Sequence, residues 1–264
     1  MTAIDVEAYL ERIGAERPKQ PDYEGLCYLL ERHMMSIPFE TLDFCLREIP
    51  SIKDEDVFEK LIVRRRGGGC GELNSGFRML LEALGYRVSV LGGRVLHNGK
   101  QSFHGVHHGH AVLRVELDHS YICDAGFRWC ARRPLRMDLR GVQHDRHGDY
   151  ELVYTPEGDV EMVHDGVTRW RVELHPREPQ DFAATMWFYA TYPAVPGAGQ
   201  LWASIVTENG RVSIFNRVLT EYANGERVSS RVLSDDAEFL KEFESWYGIR
   251  LEKVPDVPIS TEGV

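Results

Sequence analysis

Apolar positions recur at helical spacing through the first third of the chain. They mark residues 6–13, residues 23–34 with Leu26, Leu29 and Leu30, and residues 54–63 with Val57, Phe58, Leu61 and Ile62. A fourth stripe, Leu73, Phe77, Leu80, Leu81 and Leu84, is closed by Gly85, the residue a helix C-cap favours. Past Gly85 the pattern alternates. Tyr86, Val88 and Val90 predict one strand, Ala111, Leu113, Val115 and Leu117 a second, and Tyr121-Ile122-Cys123 a third, with the polar stretch 96–109 read as a loop. Short alternating runs continue from Tyr150 to Leu174, and a helix is expected over residues 180–189. Asn209-Gly210 between the apolar runs 201–206 and 212–215 signals a hairpin, and Phe239, Leu240, Phe243, Trp246 and Tyr247 share one face of a last helix. Helices first, strands second and a mixed remainder predict an α+β protein, divided into units 1–85, 86–180 and 181–264.

Composition narrows the partners. A content of 43% hydrophobic and 27% charged residues fits a packed globular protein, and no run is long enough to span a bilayer. The first residues lack the basic-then-apolar order of a secretory signal, so the expected compartment is the cytoplasm. A net charge of -10 disfavours nonspecific binding to nucleic acid or anionic membranes. Cys27, Cys45, Cys70, Cys123 and Cys130 form an odd set without a Cys-x-x-Cys pair, which argues against a disulfide framework or a zinc ribbon.

Cys70 is the candidate nucleophile. It leaves the run Gly67-Gly68-Gly69 at the start of the fourth helical stripe, where free backbone N–H groups and the helix dipole favour a thiolate. A cysteine under a turn is otherwise an inert buried residue. A nucleophile needs a base and the base an orienting group. His110, opening the second strand, and Asp124, ending the third, are the candidates. Because strand side chains alternate faces, the two meet only if the connecting loop has an odd number of residues, such as 117–119. His104, His107, His108 and His110 crowd one stretch and raise a metal reading, but their spacing matches no standard zinc site, and no metal is expected.

These residues resemble the arylamine N-acetyltransferase family. Arg66-Gly67-Gly68-Gly69-Cys70-Gly71-Glu72-Leu73-Asn74, His110-Ala111-Val112-Leu113-Arg114-Val115 and Asp124-Ala125-Gly126-Phe127 are similar to three of its motifs in order and spacing. Residues 9–14 and 37–43 also fit the family pattern. The resemblance implies an N-terminal helical domain, a β-barrel domain and a C-terminal α/β lid around a cysteine-protease-like catalytic core. It implies the triad Cys70, His110 and Asp124, with acetyl-CoA acylating the cysteine and an arylamine, arylhydrazine or N-hydroxyarylamine accepting the acyl group in a ping-pong scheme. It further implies backbone oxyanion donors at Cys70 and Gly71, an acceptor pocket lined by Phe39, Val95 and Phe127, and a supporting ion-pair network of Arg12, Glu40 and Arg66.

Departures from the family pattern bear on the substrates. Gly69 and Gly71 stand where the family has an aromatic residue before the cysteine and often one after it, which predicts a more open pocket. Arg128 replaces the glycine after Asp-x-Gly-Phe, a cation suited to an acidic acceptor, to the phosphates of coenzyme A, or to solvent. Residues 187–193 follow the family's C-terminal pattern only loosely. Three other readings stay open: an amide synthase loaded by a carrier-bound acyl chain, a cysteine hydrolase with the same triad, and a noncatalytic binding module.

Overall fold

Two aspartates start the first two helices. Asp5 caps α1 (Val6–Ile13) by accepting from the Ala8 amide at 3.0 Å, and Asp22 caps α2 (Tyr23–Ser36) by accepting from Gly25 N at 2.8 Å. This computed structural model describes residues 4–96, 106–193 and 199–257. After α2 come a two-residue strand, β1 (Phe39–Glu40), and two short helices, α3 (Leu42–Cys45) and α4 (Asp54–Phe58). The helix expected over 54–63 ends early as an α-helix and continues as a π-helical turn, Glu59–Val63, yet Val57, Leu61 and Ile62 are buried all the same. Then comes α5 (Cys70–Ala83), followed by Gly85 in the left-handed region (φ 91°). Leu73, Phe77, Leu80 and Leu81 on α5 are fully buried against Tyr9, Leu26, Leu29 and Leu30. Each such side chain contributes about 1.5–3 kcal/mol.

Eight strands follow: β2 (Arg87–Val95), β3 (His110–Glu116), β4 (Ser120–Cys123), β5 (Leu135–Arg136), β6 (Gln143–Asp145), β7 (Gly148–Tyr154), β8 (Val160–His164) and β9 (Val167–Arg177). They form one antiparallel sheet in the order β5-β4-β3-β2-β9-β8-β7-β6. The sheet curls until its edges meet through one side chain. Arg136 N donates to Gln143 Oε1 at 2.8 Å and Gln143 Nε2 donates to Arg136 O at 3.0 Å, which leaves a nearly closed barrel with little open edge. Leu91, Val112, Ile122, Tyr150, Met162 and Trp170 pack together as its core.

The C-terminal part begins with α6 (Ala183–Thr191). Four strands, β10 (Trp202–Val206), β11 (Gly210–Phe215), β12 (Val218–Ala223) and β13 (Glu226–Val232), join β1 in a five-stranded antiparallel sheet ordered β1-β10-β11-β12-β13. A last helix, α7 (Asp236–Tyr247), buries Phe239, Phe243 and Tyr247 with Ala203, Val212, Ile214 and Leu219 of that sheet. Alternation puts Trp202, Ser204, Arg211 and Tyr222 on the opposite face, and Arg211 Nη1 donates to Arg128 O of the barrel. The expected hairpin lies between β10 and β11, but Gly210 already belongs to the strand. A Cβ there would stand 2.0 Å from Tyr222 O, so the glycine serves strand contact and Glu208-Asn209 make the corner. A helical N-terminal part, a nearly closed barrel and an α/β C-terminal part make up the α+β architecture expected from the sequence. No helix among the described residues is long and apolar enough to cross a membrane.

Candidate active site

The glycine run is shaped by its contact with β1. Gly68 N donates to Pro38 O at 3.3 Å, and Glu40 N donates to Gly68 O at 3.0 Å. A Cβ on Gly67 would stand 2.2 Å from Pro38 O, so no larger residue fits there. Pinned in this way, the run delivers Cys70 as the first residue of α5, where the leading amides have no acceptor within the helix. Cys70 Sγ lies 3.8 Å from Gly109 O.

His110 opens β3, and Asp124 follows the last residue of β4. Glu116 pairs with Ser120, so the connecting loop is Leu117-Asp118-His119, an odd number of residues, and Asp124 reaches the face of His110. The His110 Nε2 to Asp124 Oδ2 distance is 2.7 Å, and the two residues are only 1% and 6% exposed. Cys70 acts electrostatically on the same imidazole, whose free nitrogen is Nδ1. Burial alone lowers the His110 pKa; the Asp124 carboxylate and then Cys70 reverse this and raise it to about 10. Between pH 6.5 and 10 the folded chain therefore keeps a proton that the unfolded chain has lost. Stability from this pair is complete below pH 6.5 and falls as pH rises toward 10. Urea unfolding at about pH 6 and about pH 9.5 measures this, and the decline is expected to be smaller in His110→Gln than in the parent.

Asn74, one turn along α5, ties the three together. Its Nδ2 donates to Asp124 Oδ1 at 3.1 Å, to Ala111 O at 2.8 Å and to Cys70 O at 3.1 Å, while its Oδ1 accepts from Ala125 N at 3.0 Å. Gly126 N also donates to Asp124 Oδ1, and a Cβ on Gly126 would stand 2.5 Å from Cys70 Cα. Asn74→Ala strips one donor from a buried carboxylate and is expected to lower kcat about ten- to a hundredfold. Steady-state kinetics on the purified variant checks it.

Phe127 meets the His110 ring edge-on at 5.4 Å between centroids. Val95 lies two residues beyond Gly93, the strand partner of His110, and so shares its face of the sheet; Phe39 is bridged to Gly68. Phe44 lies 3.5 Å from where a Cβ of Gly69 would be, and Met186 lies 3.3 Å from that of Gly71. These side chains take up part of the space the two glycines leave, so the site is less open than the glycines alone imply.

Behind the glycine run lies a chain of buried charges. Arg66 donates to Glu40 Oε1 at 2.7 Å and to Asp43 Oδ1 at 2.8 Å; Lys60 Nζ is 2.7 Å from both Asp43 and Glu72; and Glu72 Oε2 accepts from Gly69 N at 2.9 Å. Arg12 was expected in this network but stands apart from it. It is buried, and its guanidinium donates to the carbonyls of Ser36 at 2.7 Å and Leu61 at 3.2 Å, holding α1 to the neighbouring segments. His107 and His108 lie near Glu173, and His104 falls outside the described residues; no group of metal ligands forms among the described residues. Reading the sequence also missed Tyr189, whose hydroxyl is pushed up to about 12 by burial and by nearby Cys70. Asn74 was visible as part of the Glu-x-Asn motif and Asp43 as the end of the 37–43 motif, whereas Lys60 and Tyr189 carry no such signal.

A cysteine at a helix start, beside an imidazole that a buried carboxylate orients, is the geometry used by enzymes with a cysteine nucleophile. A model of the N-acetyltransferase family matches residues 22–256. The arylamine N-acetyltransferase of Mycolicibacterium smegmatis is 32% identical over 84% of each chain, and its solved structure superposes with a TM-score of 0.88 over 97% of this chain and 99% of that one. The chain belongs to the arylamine N-acetyltransferase family. Proansamycin X synthase of Amycolatopsis mediterranei is 30% identical over 90% of this chain and 95% of its own. The Mycobacterium marinum arylamine N-acetyltransferase, solved in complex with CoA, superposes with a TM-score of 0.85 at 26% identity, covering 93% of each chain.

Proposed function

We propose that this chain moves an acetyl group from acetyl-CoA to an arylamine, arylhydrazine or N-hydroxyarylamine through a thioester on Cys70. The observation that carries the reading is the buried 2.7 Å contact between His110 Nε2 and Asp124 Oδ2, which leaves Nδ1 for Cys70. His110, held as an imidazolium by Asp124, keeps the proton that Cys70 has given up, the Sγ thiolate attacks the thioester carbonyl, and the amides of Cys70 and Gly71 stabilise the oxyanion. Coenzyme A leaves with a proton from His110, which then accepts a proton from the incoming amine. Aryl amines are neutral at pH 7 and flat, which suits a pocket of Phe39, Val95 and Phe127. Residues 1–85 supply the nucleophile, 86–180 the base and its carboxylate, and 181–264 a cover against water. Coenzyme A bound to the M. marinum relative supports the donor, and five free cysteines are consistent with a cytoplasmic protein.

Initial rates over a grid of acetyl-CoA and aryl hydrazine concentrations test the scheme. Parallel double-reciprocal lines are expected, and intersecting lines count against a ping-pong mechanism. The likeness to a synthase keeps the amide-synthase reading as a second one. Loading of Cys70 by a carrier-bound chain but never by acetyl-CoA selects it, and rapid hydrolysis of the acyl-enzyme without amine selects a hydrolase.

A further inference from the structure

Three arginines from separate parts of the chain converge on one ring. Arg211 of β11 lies 4.0 Å from the Trp129 centroid, Arg169 of β9 lies 5.1 Å from it, and Arg128 lies 5.7 Å from it. Arg128 is also 4.8 Å from the Trp202 ring, and Arg211 is 4.6 Å from the Tyr222 ring. Like charges repel, so such a cluster is ordinarily matched by carboxylates. Here none of the three forms an ion pair with a carboxylate within 4.0 Å among the described residues. Asp165 acts on Arg169 from further away, but its carboxylate already accepts from Asp149 N and lies 3.3 Å from His164.

Two buried donors in the cluster have no partner: Nε of Arg211, a residue 6% exposed, and Nε of Arg169. A buried guanidinium N–H without an acceptor is costly, and an anion is the group that would satisfy it. An open cleft lined by Trp129, His147, Tyr150, Arg211 and Tyr222 lies between the barrel and the C-terminal sheet; its enclosed space is only about 20 Å³, so an anion there would sit at the cleft's mouth, facing solvent. It is also near the reaction centre, because Trp129 is five residues after Asp124, at most roughly 18 Å of extended chain.

We propose that Arg128, Arg169 and Arg211, gathered on Trp129, form a phosphate-binding site that holds the phosphate groups of the coenzyme A donor while its pantetheine arm reaches Cys70. The proposal rests on the acetyl-CoA reading above and adds where the charged end of the donor is held. Guanidinium groups bind phosphate oxygens through paired, charge-assisted N–H bonds, and the aromatic faces keep them oriented.

Calorimetric titration of coenzyme A, adenosine 3′,5′-bisphosphate and inorganic phosphate into the parent, Arg128→Gln and Arg128→Gln/Arg169→Gln tests it. The Arg128 side chain is exposed and Arg211 holds only its backbone carbonyl, so these variants leave the Arg211 anchor in place. Coenzyme A and the bisphosphate are expected to bind about tenfold more weakly to the single variant and more weakly again to the double. The ratio of kcat/KM for acetyl-CoA to that for p-nitrophenyl acetate, which carries no phosphate, is expected to fall to match. Unchanged coenzyme A affinity in the double variant overturns the proposal. So does saturation by inorganic phosphate that coenzyme A fails to displace, because the occupant is then free phosphate. A parent that binds coenzyme A through Arg128 but is never acetylated retires the transferase reading and keeps the site. An acetylated parent whose donor KM ignores both substitutions retires the site alone.

Discussion

Asparagine at position 124 is expected to cut kcat/KM for acetyl transfer by about 10⁴-fold while leaving the fold intact, the scale that the same change produces in a serine-based triad. Orientation is the reason. Asp124 Oδ1 accepts from Asn74 Nδ2 and Gly126 N, so an asparagine keeps its carbonyl oxygen there and turns its amide nitrogen toward His110 Nε2. That nitrogen is a donor, so Nε2 must accept and the ring proton moves to Nδ1, the atom that has to take the proton of Cys70. The variant thus holds a histidine in the correct place with the wrong tautomer. Single-turnover acetylation, beside a near-UV circular dichroism spectrum that matches the parent, measures the effect; a loss below tenfold contradicts the proposed role.

Methionine at position 60 is expected to destabilise the protein by about 3–5 kcal/mol, the cost of leaving a buried charge without its partner. Lys60 bridges Asp43 and Glu72 with side-chain exposures of 7%, 16% and 5%, so little water is available to replace it. Burial raises the pKa of Glu72, and Lys60 is the first influence opposing that rise. Without Lys60, Glu72 is left facing the amide of Gly69 alone, directly before Cys70. The midpoint of thermal unfolding should fall by about 10 °C. Lys60→Met/Glu72→Gln should recover part of the loss, because it removes the orphaned charge as well. A fall equivalent to less than about 1 kcal/mol means the network is not holding the loop.

Much of this was written in local patterns. The α5 stripe is legible because Leu73, Phe77, Leu80 and Leu81 recur at helical spacing, and its start is legible because glycine precedes Cys70. The requirement for an odd loop followed from strand alternation, and the β3–β4 hairpin has such a loop. Two other hairpins passed unread. Asp165-Gly166 and Asn224-Gly225 each carry two positive φ angles between paired strand ends, the turn that an Asx-Gly pair suits, but their flanking strands alternate weakly. Arg12 shows a deeper limit: a motif position says that an arginine is needed, not whether it meets carboxylates or carbonyls. Lys60 and the arginines around Trp129 are long-range facts. Arg211 is 83 residues from the carbonyl it holds, and no periodicity within either segment announces the other.

Intact-protein mass spectrometry after brief exposure to acetyl-CoA tests the central claim most directly. The parent is expected to gain one acetyl group, to lose it on addition of an aryl hydrazine, and to stay unmodified as Cys70→Ala. An adduct that survives in Cys70→Ala, or a parent that acetyl-CoA never modifies, contradicts the account.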